Sequence, residues 1–475
     1  MSGFSRAEGR ASRERPPPVA FEDLVDALSA PDAYPHAVGD VQIVQTHVSV
    51  LFFAGDRAYK LKKPVELGSL DYRTLASRRH FCEEELRLNR RISPRMYRDV
   101  VPVARDEDGW ISVGGHGGPV DWVVEMVRLP RERMLDALLE RGEVDDGVLD
   151  AVAAVLARFH ERAVTGPSVN LHGVSRAVRE TVAGNLDQLA RGSQACGGVL
   201  SDDVLRFLRE HFAGFVRDQR DLFERRVAQW HIRDGHGDLH AGNVCLVGDD
   251  VLVYDCVEFD PALRCGDVAS DLAFLAMDLD HRGHAEAAMR LVDTYADLTS
   301  DDELPRLLPF YAAHRALIRA KVGLVAAQDE KLAASERADA LREAGRYVQL
   351  AVGYGLPASL ILVHGGGDAR AAARSVAGRM RAELLERAEP RAQLESAVER
   401  LDADRSAVVV GDFARRDARR AFLDAATRLG VPCVLLAAAV DELEEPKETA
   451  AERIVRVSGE DRVDALQLHL IESAA

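Results

Sequence analysis

The sequence predicts an α+β chain in three parts: a small strand-rich lobe, a larger helical lobe with one embedded β-hairpin, and a terminal α/β domain. Three observations predict it. Short apolar strands and turn residues dominate up to Pro130; helical spacing then takes over, interrupted by a strand–turn–strand around Gly248-Asp249-Asp250; and from Leu360 a βαβ rhythm sets in. A chain of 475 residues also exceeds what one hydrophobic core organises, so more than one domain is expected.

Taken in order, residues 1–18 are rich in Arg, Ser and Gly, lack the apolar core of a secretory signal, and read as a disordered leader. Phe21, Leu24, Val25 and Leu28 space out a helix over 20–30, stopped by Pro31. Strands are expected at 41–44, 48–53 and 58–61, the last two joined by a Gly55-Asp56 turn. Residues 75–92 turn helical and end before Pro94; strands return at 100–104, 110–113 and 120–127, closing a first lobe over 19–127. A second lobe, 128–353, carries expected helices at 134–139, 148–162, 174–189, 204–227, 285–298, 304–327 and 333–352, with the hairpin at 243–247 and 251–255. In 354–475, strands at 360–363, 407–410 and 433–436 alternate with helical stretches 369–388, 391–402 and 415–429, the signature of a small parallel sheet.

Composition narrows the function. With 47% hydrophobic and 29% charged residues the chain is ordinary globular protein, and no apolar run approaches the ~18 residues that span a bilayer, so no membrane partner is expected. A net charge of −17 argues against nucleic acid as a partner, because that role needs a concentrated basic surface. The six cysteines show no CxxC pair and read as reduced thiols of a cytoplasmic protein. Nothing in the sequence sets an oligomeric state. Lysine usage is more pointed: Lys60, Lys62 and Lys63 are three of only six lysines, in a chain where Arg meets the general need for charge. A compact ammonium differs most from a guanidinium where it must reach a phosphate at close range.

The run His236-Gly237-Asp238-Leu239-His240-Ala241-Gly242-Asn243, followed by a hairpin ending at Asp255, has the layout that phosphoryl transfer demands. That chemistry asks the protein for positioning and charge neutralisation: one carboxylate beside the acceptor hydroxyl, and hard oxygen ligands for the cations that bridge the phosphates. Asp238 is the candidate base; the hairpin brings Asn243 and Asp255 together as magnesium ligands. The alternative is a transition-metal site built on His236, Asp238 and His240, against which Gly237 and Gly242 argue for a loop.

The segment 236–243 resembles the H-G-D-x-H-x-x-N catalytic loop of the aminoglycoside phosphotransferase family, and Tyr254-Asp255 resembles its second metal-binding aspartate. Protein kinases carry Lys two positions after the base, where this chain has His240; D-F-G and A-P-E signatures are also absent, which favours a small-molecule kinase. The resemblance implies an α+β protein-kinase-like fold of two lobes, ATP and Mg2+ as cofactors, and a small-molecule hydroxyl acceptor such as an aminoglycoside or amino sugar. Gly266-Asp267 with Asp271-Leu272-Ala273 is similar to the stretch where an aspartate braces the loop; helix capping by Asp267 is the alternative, and the two are compatible. Tyr59-Lys60-Leu61-Lys62 resembles the strand that supplies the α/β-phosphate lysine, making Lys62 the first choice and Lys60 the second, with Glu84 or Glu85 as ion-pair partner. No G-x-G-x-x-G covers the nucleotide; Thr46-His47-Val48-Ser49 stands in that place, and the adenine hinge is expected in 124–127, through Val124 and Met126. Asp278 and Asp280 lie where acidic acceptor-binding groups would sit, a solvated helix end being the other account. The runner-up function is a catalytically silent nucleotide-binding regulator.

The run 81–91 with Lys62-Lys63-Pro64-Val65 is similar to a bacterial group of uncharacterised proteins that join this kinase to a C-terminal P-loop kinase domain, and the resemblance covers nearly the whole chain. Here the P-loop is degenerate. After strand 360–364 stand Gly365-Gly366-Gly367-Asp368-Ala369-Arg370-Ala371-Ala372, with no Lys for a phosphate, no Ser or Thr for magnesium, and Asp368 placing negative charge where phosphate should rest. Arg370 is a candidate stand-in for the lysine, but a packing or regulatory P-loop-like module is the preferred reading.

Overall fold

The computed structural model describes residues 19–68, 70–365, 367–386, 389–403, 405–437, 453–456 and 462–474. The leader 1–18 and Gly366 lie outside them, as does the side chain of Asp368. The chain divides into two compact units, Met1–Pro130 with Glu258–Asp260, and Arg131–Val257 with Pro261–Ala475.

The first unit is built on a six-stranded antiparallel sheet in the order Val41–Gln45, Ser49–Ala54, Arg57–Lys62, Gly118–Val127, Tyr97–Arg105, Ile111–Val113. Gly55 takes φ +63° in the two-residue turn between the second and third strands, a conformation that a hairpin of this length demands and a side chain resists. One face of the sheet packs on the helix Phe21–Leu28 through Leu24, Leu28, Val50, Phe52 and Leu61. The helix Leu75–Asn89 starts on Thr74, whose hydroxyl accepts from Ser77 N, and buries Arg78, Cys82, Glu85, Leu88 and Asn89, a single helical stripe. Arg78 meets Asp121 of the central strand inside the unit at 2.9 Å, so that stripe carries charge as well as apolar surface.

In the second unit, helices Asp146–Arg162, Ser175–Ala195, Ala285–Thr299, Leu304–Ala327 and Ala334–Gly355 accompany a helix absent from the sequence reading, Val268–His281. All but two of its 14 residues are buried. The expected helix 204–227 is two, Asp202–Asp218 and Arg220–Ala228, separated at Gln219. The hairpin pairs Val244–Val247 with Asp250–Val253, turning at Gly248, and a second short pair, Ile232–Asp234 with Cys265–Asp267, brackets it in sequence. A strand-rich unit followed by a helical one with an embedded hairpin is the protein-kinase-like α+β fold.

The last part of the second unit has a five-stranded parallel sheet rather than three strands. In the order Glu383–Leu385, Ala407–Gly411, Leu360–His364, Cys433–Ala437, Arg453–Arg456, its strands run 2-3-1-4-5. The second and fifth were missed because they are three and four residues long, and the second lay inside the expected helix 369–388, which ends at Met380. Buried side chains fill both faces, Ala373, Val376 and Leu466 on one, Leu401, Phe422 and Ala426 on the other, as in a doubly wound sheet. Helix Ala334–Gly355 lies against this part, with Gln467 Nε2 donating to Gln349 O at 2.7 Å.

Candidate active site

The two ends of the hairpin and the preceding loop are tied by one histidine. His236, fully buried, donates from Nε2 to Tyr254 O at 3.0 Å and accepts the Asp238 N–H on Nδ1 at 3.2 Å. Burial pulls its pKa down, against the pull of Asp271, Asp238 and Asp255, so the ring stays neutral with one donor and one acceptor, as both bonds require. Both ring nitrogens are therefore spent inside the protein, and His236 is no metal ligand. Gly237 sits at φ +86°, and a Cβ there would lie 2.9 Å from Leu263 O, so the residue before Asp238 must be glycine.

Asp238 keeps 37% of its side chain exposed, with His240 Nε2 at 3.8 Å from its carboxylate. The His240 ring is held by Gly242 N–H on Nδ1 at 3.2 Å and lies beside Phe274. Asn243 closes the one-turn segment Ala241–Asn243 and donates from Nδ2 to Asp238 O at 2.9 Å, while its own carbonyl accepts from Tyr254 N at 3.1 Å. With the amide nitrogen so engaged, Oδ1 is the atom that Asn243 could offer a cation. Asp255 leaves the hairpin at φ +66°, a left-handed conformation rare outside glycine and tolerated by Asp, of the kind that gathers at functional sites. An amide oxygen and a carboxylate are hard donors, and they fit magnesium better than a thiophilic ion.

Asp271 braces this loop: its carboxylate accepts His236 N at 2.6 Å and Gly237 N at 2.9 Å, with His160 Nε2 3.5 Å and Arg315 Nη2 3.6 Å away. Burial would raise its pKa, but His160 and Arg315 beside it hold it far below the usual carboxylate range. Asp267 caps the same helix by accepting Ala269 N at 2.9 Å and meets Arg226 through both oxygens, at 2.7 and 2.8 Å. Asp278 accepts Ala241 N at 2.9 Å. Neither Asp278 nor Asp280 ends a solvated helix or offers itself to an acceptor: they are 1% and 6% exposed. Both carboxylates face the interior, although the helix runs out to the exposed Arg282. Arg315, which donates to Gly237 O at 2.9 Å, went unnoticed in the sequence because a single Arg in a long helix carries no signal.

In the first unit, Lys62 Nζ lies 2.7 Å from Glu85 and also binds Glu258; Lys60 Nζ lies 2.9 Å from the other Glu85 oxygen. Tyr72 hydroxyl donates to Glu258 as well, and its ring lies under the Lys62 ammonium at 4.9 Å. Burial alone would lower the lysine's pKa, yet the two carboxylates overcome it and hold the group charged. Glu84 does not join this cluster: it points away from the buried stripe and pairs with Arg87 at 2.7 Å. Glu258 was not anticipated. Ser49 is buried at the head of its strand, its hydroxyl without a hydrogen-bond partner among the described residues. The hinge expected at 124–127 is corrected: Val124 and Met126 are buried in the interior of the sheet, Val124 opposite Lys60 and Val100, Met126 opposite Ala58 and Tyr97. An apolar run there is a central strand with its backbone in the ladder, and the connector between the units begins only after Val127.

No family model matches the chain. Over 310 residues it is 36% identical to an uncharacterised protein of Mycobacterium tuberculosis and to one of Mycobacterium bovis, covering 65% of this chain and 59% of each of theirs. The chain thus spans less than two thirds of the length of the curated relatives it matches. Among solved structures it is similar to a choline/ethanolamine kinase family protein from Mesorhizobium loti, 13% identical over 76% of this chain and 98% of that one, with a TM-score of 0.44. It is also similar to an ADP-bound aminoglycoside phosphotransferase, 14% identical over 66% and 95%, with a TM-score of 0.37. Likeness of this degree assigns no substrate, and the kinase-like fold stands on the strand order, loop and hairpin of the chain itself.

Proposed function

We propose that this chain is an ATP-dependent phosphotransferase that moves the γ-phosphoryl group to a hydroxyl of a small molecule in the cytoplasm. The observation that carries it is the His236 double bond to Asp238 and Tyr254, which fixes a half-exposed carboxylate next to a hairpin bearing two hard oxygen ligands. Asp238 takes the acceptor proton, and His240 beside it sets the carboxylate's orientation. Asn243 and Asp255 would hold magnesium, which when bound neutralises phosphate oxygens. Lys62 supplies the phosphate-facing ammonium, and Glu85 keeps it charged and placed.

The silent-regulator reading has one specific observation in its favour: Lys62 is buried between Glu85 and Glu258, so a phosphate must displace a carboxylate to reach it. The deciding experiment incubates the protein with radiolabelled ATP and a panel of amino sugars, aminoglycosides, choline, ethanolamine and other hydroxyl metabolites. Magnesium-dependent transfer to one class, lost by roughly 10²–10⁴-fold in Asp238→Asn while Mg-ATP still binds, is the expected result. ATP binding without transfer to any acceptor would leave the regulator.

A further inference from the structure

The parallel domain at the chain's end touches the helix that carries the loop's braces, and it does so through a buried charge. Asp280, 6% exposed, accepts from Arg381 Nε at 3.0 Å and from the Tyr354 hydroxyl, and the Arg381 guanidinium stacks 4.3 Å over the Tyr354 ring. Asp271 and Asp278 lie seven residues apart on one side of the helix Val268–His281 and hold three backbone N–H groups of the loop, those of His236, Gly237 and Ala241. Two residues beyond Asp278, Asp280 faces the other way. One helix is therefore gripped by the loop on one side and by the terminal domain on the other.

Arg381 holds its place at a cost. It follows the helix Gly367–Met380 at φ +50°, the left-handed position at which helices usually end in glycine. A long side chain kept where glycine would relieve the backbone points to a use for that side chain.

We propose that Arg381 is a positioning residue for the loop 236–243. The domain that lacks a phosphate clamp serves to fix the helix Val268–His281, and through Asp278 and Asp271 the backbone that presents Asp238. The proposal rests on the phosphotransferase reading only in calling that loop catalytic.

Hydrogen–deuterium exchange on the full chain tests it without any substrate. Arg381→Gly removes the guanidinium while relieving the backbone, so a merely structural role predicts unchanged or slower exchange everywhere. Positioning predicts that His236, Gly237 and Ala241 exchange about tenfold faster, the scale of one lost hydrogen bond to a charged group, that Arg381→Lys restores most of the protection, and that the strand Leu360–His364 is unaffected. If Arg381→Gly loosens that strand too, Asp280→Asn, which leaves the terminal domain's own residues untouched, must reproduce the faster loop exchange. Unchanged exchange at 236–243 in Asp280→Asn, or in a well-folded Arg381→Gly, overturns the proposal. Where transfer activity is found, Arg381→Gly should lower kcat with KM for ATP unchanged. Absence of transfer in the parent protein would sink the phosphotransferase reading and leave the exchange result standing.

Discussion

At the scale of single residues, taking the Lys62 ammonium out of water costs several kcal/mol that only close, well-placed carboxylates offset. Glu85 and Glu258 do this together, and removing the cation leaves two buried carboxylates facing each other. Lys62→Met should therefore destabilise the protein by about 3–5 kcal/mol in denaturant titration, whereas Lys60→Met should cost clearly less, since Lys60 is partly exposed and Lys62 still neutralises Glu85. Equal losses in the two variants would mean that the charge cluster is shared differently. Both lysines, Asp238, Asn243 and Asp255 were legible in the sequence because each belongs to a spaced pattern. Glu258 was not: it stands three residues after Asp255 in a stretch without periodicity, and its partner lies 196 positions earlier. The choice of Glu85 over Glu84 becomes visible only once the helix is known to bury Arg78, Cys82, Glu85 and Leu88.

Among the elements, the helix Val268–His281 does most to shape the site, and the sequence reading missed it. A helix that is apolar on every side shows no 3.6-residue alternation, because nothing on it faces water. Leu272 to Leu279 reads as an apolar run interrupted only by Asp278, with no polar stripe to betray a turn. At 124–127 the strand itself was legible, but not that neighbours on both sides take up its backbone groups. What survives burial in such elements is the polar residue with a job, and here Asp267, Asp271, Asp278 and Asp280 each accept from a different partner. Asp271→Ala should be the most damaging change in this helix. It strips two loop N–H groups of their acceptor and leaves Arg315, itself buried, without its nearby carboxylate. A loss of about 3–5 kcal/mol is expected, measured by chemical unfolding, with Asp271→Asn milder because an amide oxygen still accepts. A loss under 1 kcal/mol in the alanine variant would show that the loop does not depend on this brace.

Across the whole molecule, pH and nucleotide stoichiometry report on what is buried. Burial lowers the pKa of His211, His231, His236 and His314, the last to about 3, so these rings stay neutral in the folded chain. Unfolded, each takes a proton near pH 6.5. Their contribution to stability is thus full above that value and is lost as pH falls through it toward the folded values, so the unfolding midpoint should drop between pH 7 and pH 5. The lowered carboxyls of Asp271 and Glu258 add a second loss at lower pH, beginning as pH falls into the unfolded carboxylate range of about 4 and continuing toward their folded values. A midpoint flat from pH 7 to 5 would mean that those rings are already charged. Stoichiometry separates the two nucleotide-binding folds the sequence resembles. In a doubly wound sheet a ligand settles beyond the carboxyl ends of the strands where the order reverses, here between Leu360–His364 and Ala407–Gly411. That point is taken by His364, whose Nδ1 accepts the Phe413 N–H at 3.1 Å and lies 3.6 Å from Asp412. Beyond it, Gly365 at φ +136° leads toward Ala369, which is buried, and Arg370, which is exposed on the following helix. A P-loop instead needs a lysine ammonium and a metal-bound hydroxyl at that helix start. Titration calorimetry of the full chain should therefore find one Mg-ATP per chain, with affinity and stoichiometry unchanged in Arg370→Ala and binding abolished or strongly weakened in Asp255→Ala, which removes the carboxylate ligand. Two sites per chain, one of them lost with Arg370, would show that the guanidinium has taken over the lysine's part and that the terminal domain binds nucleotide after all.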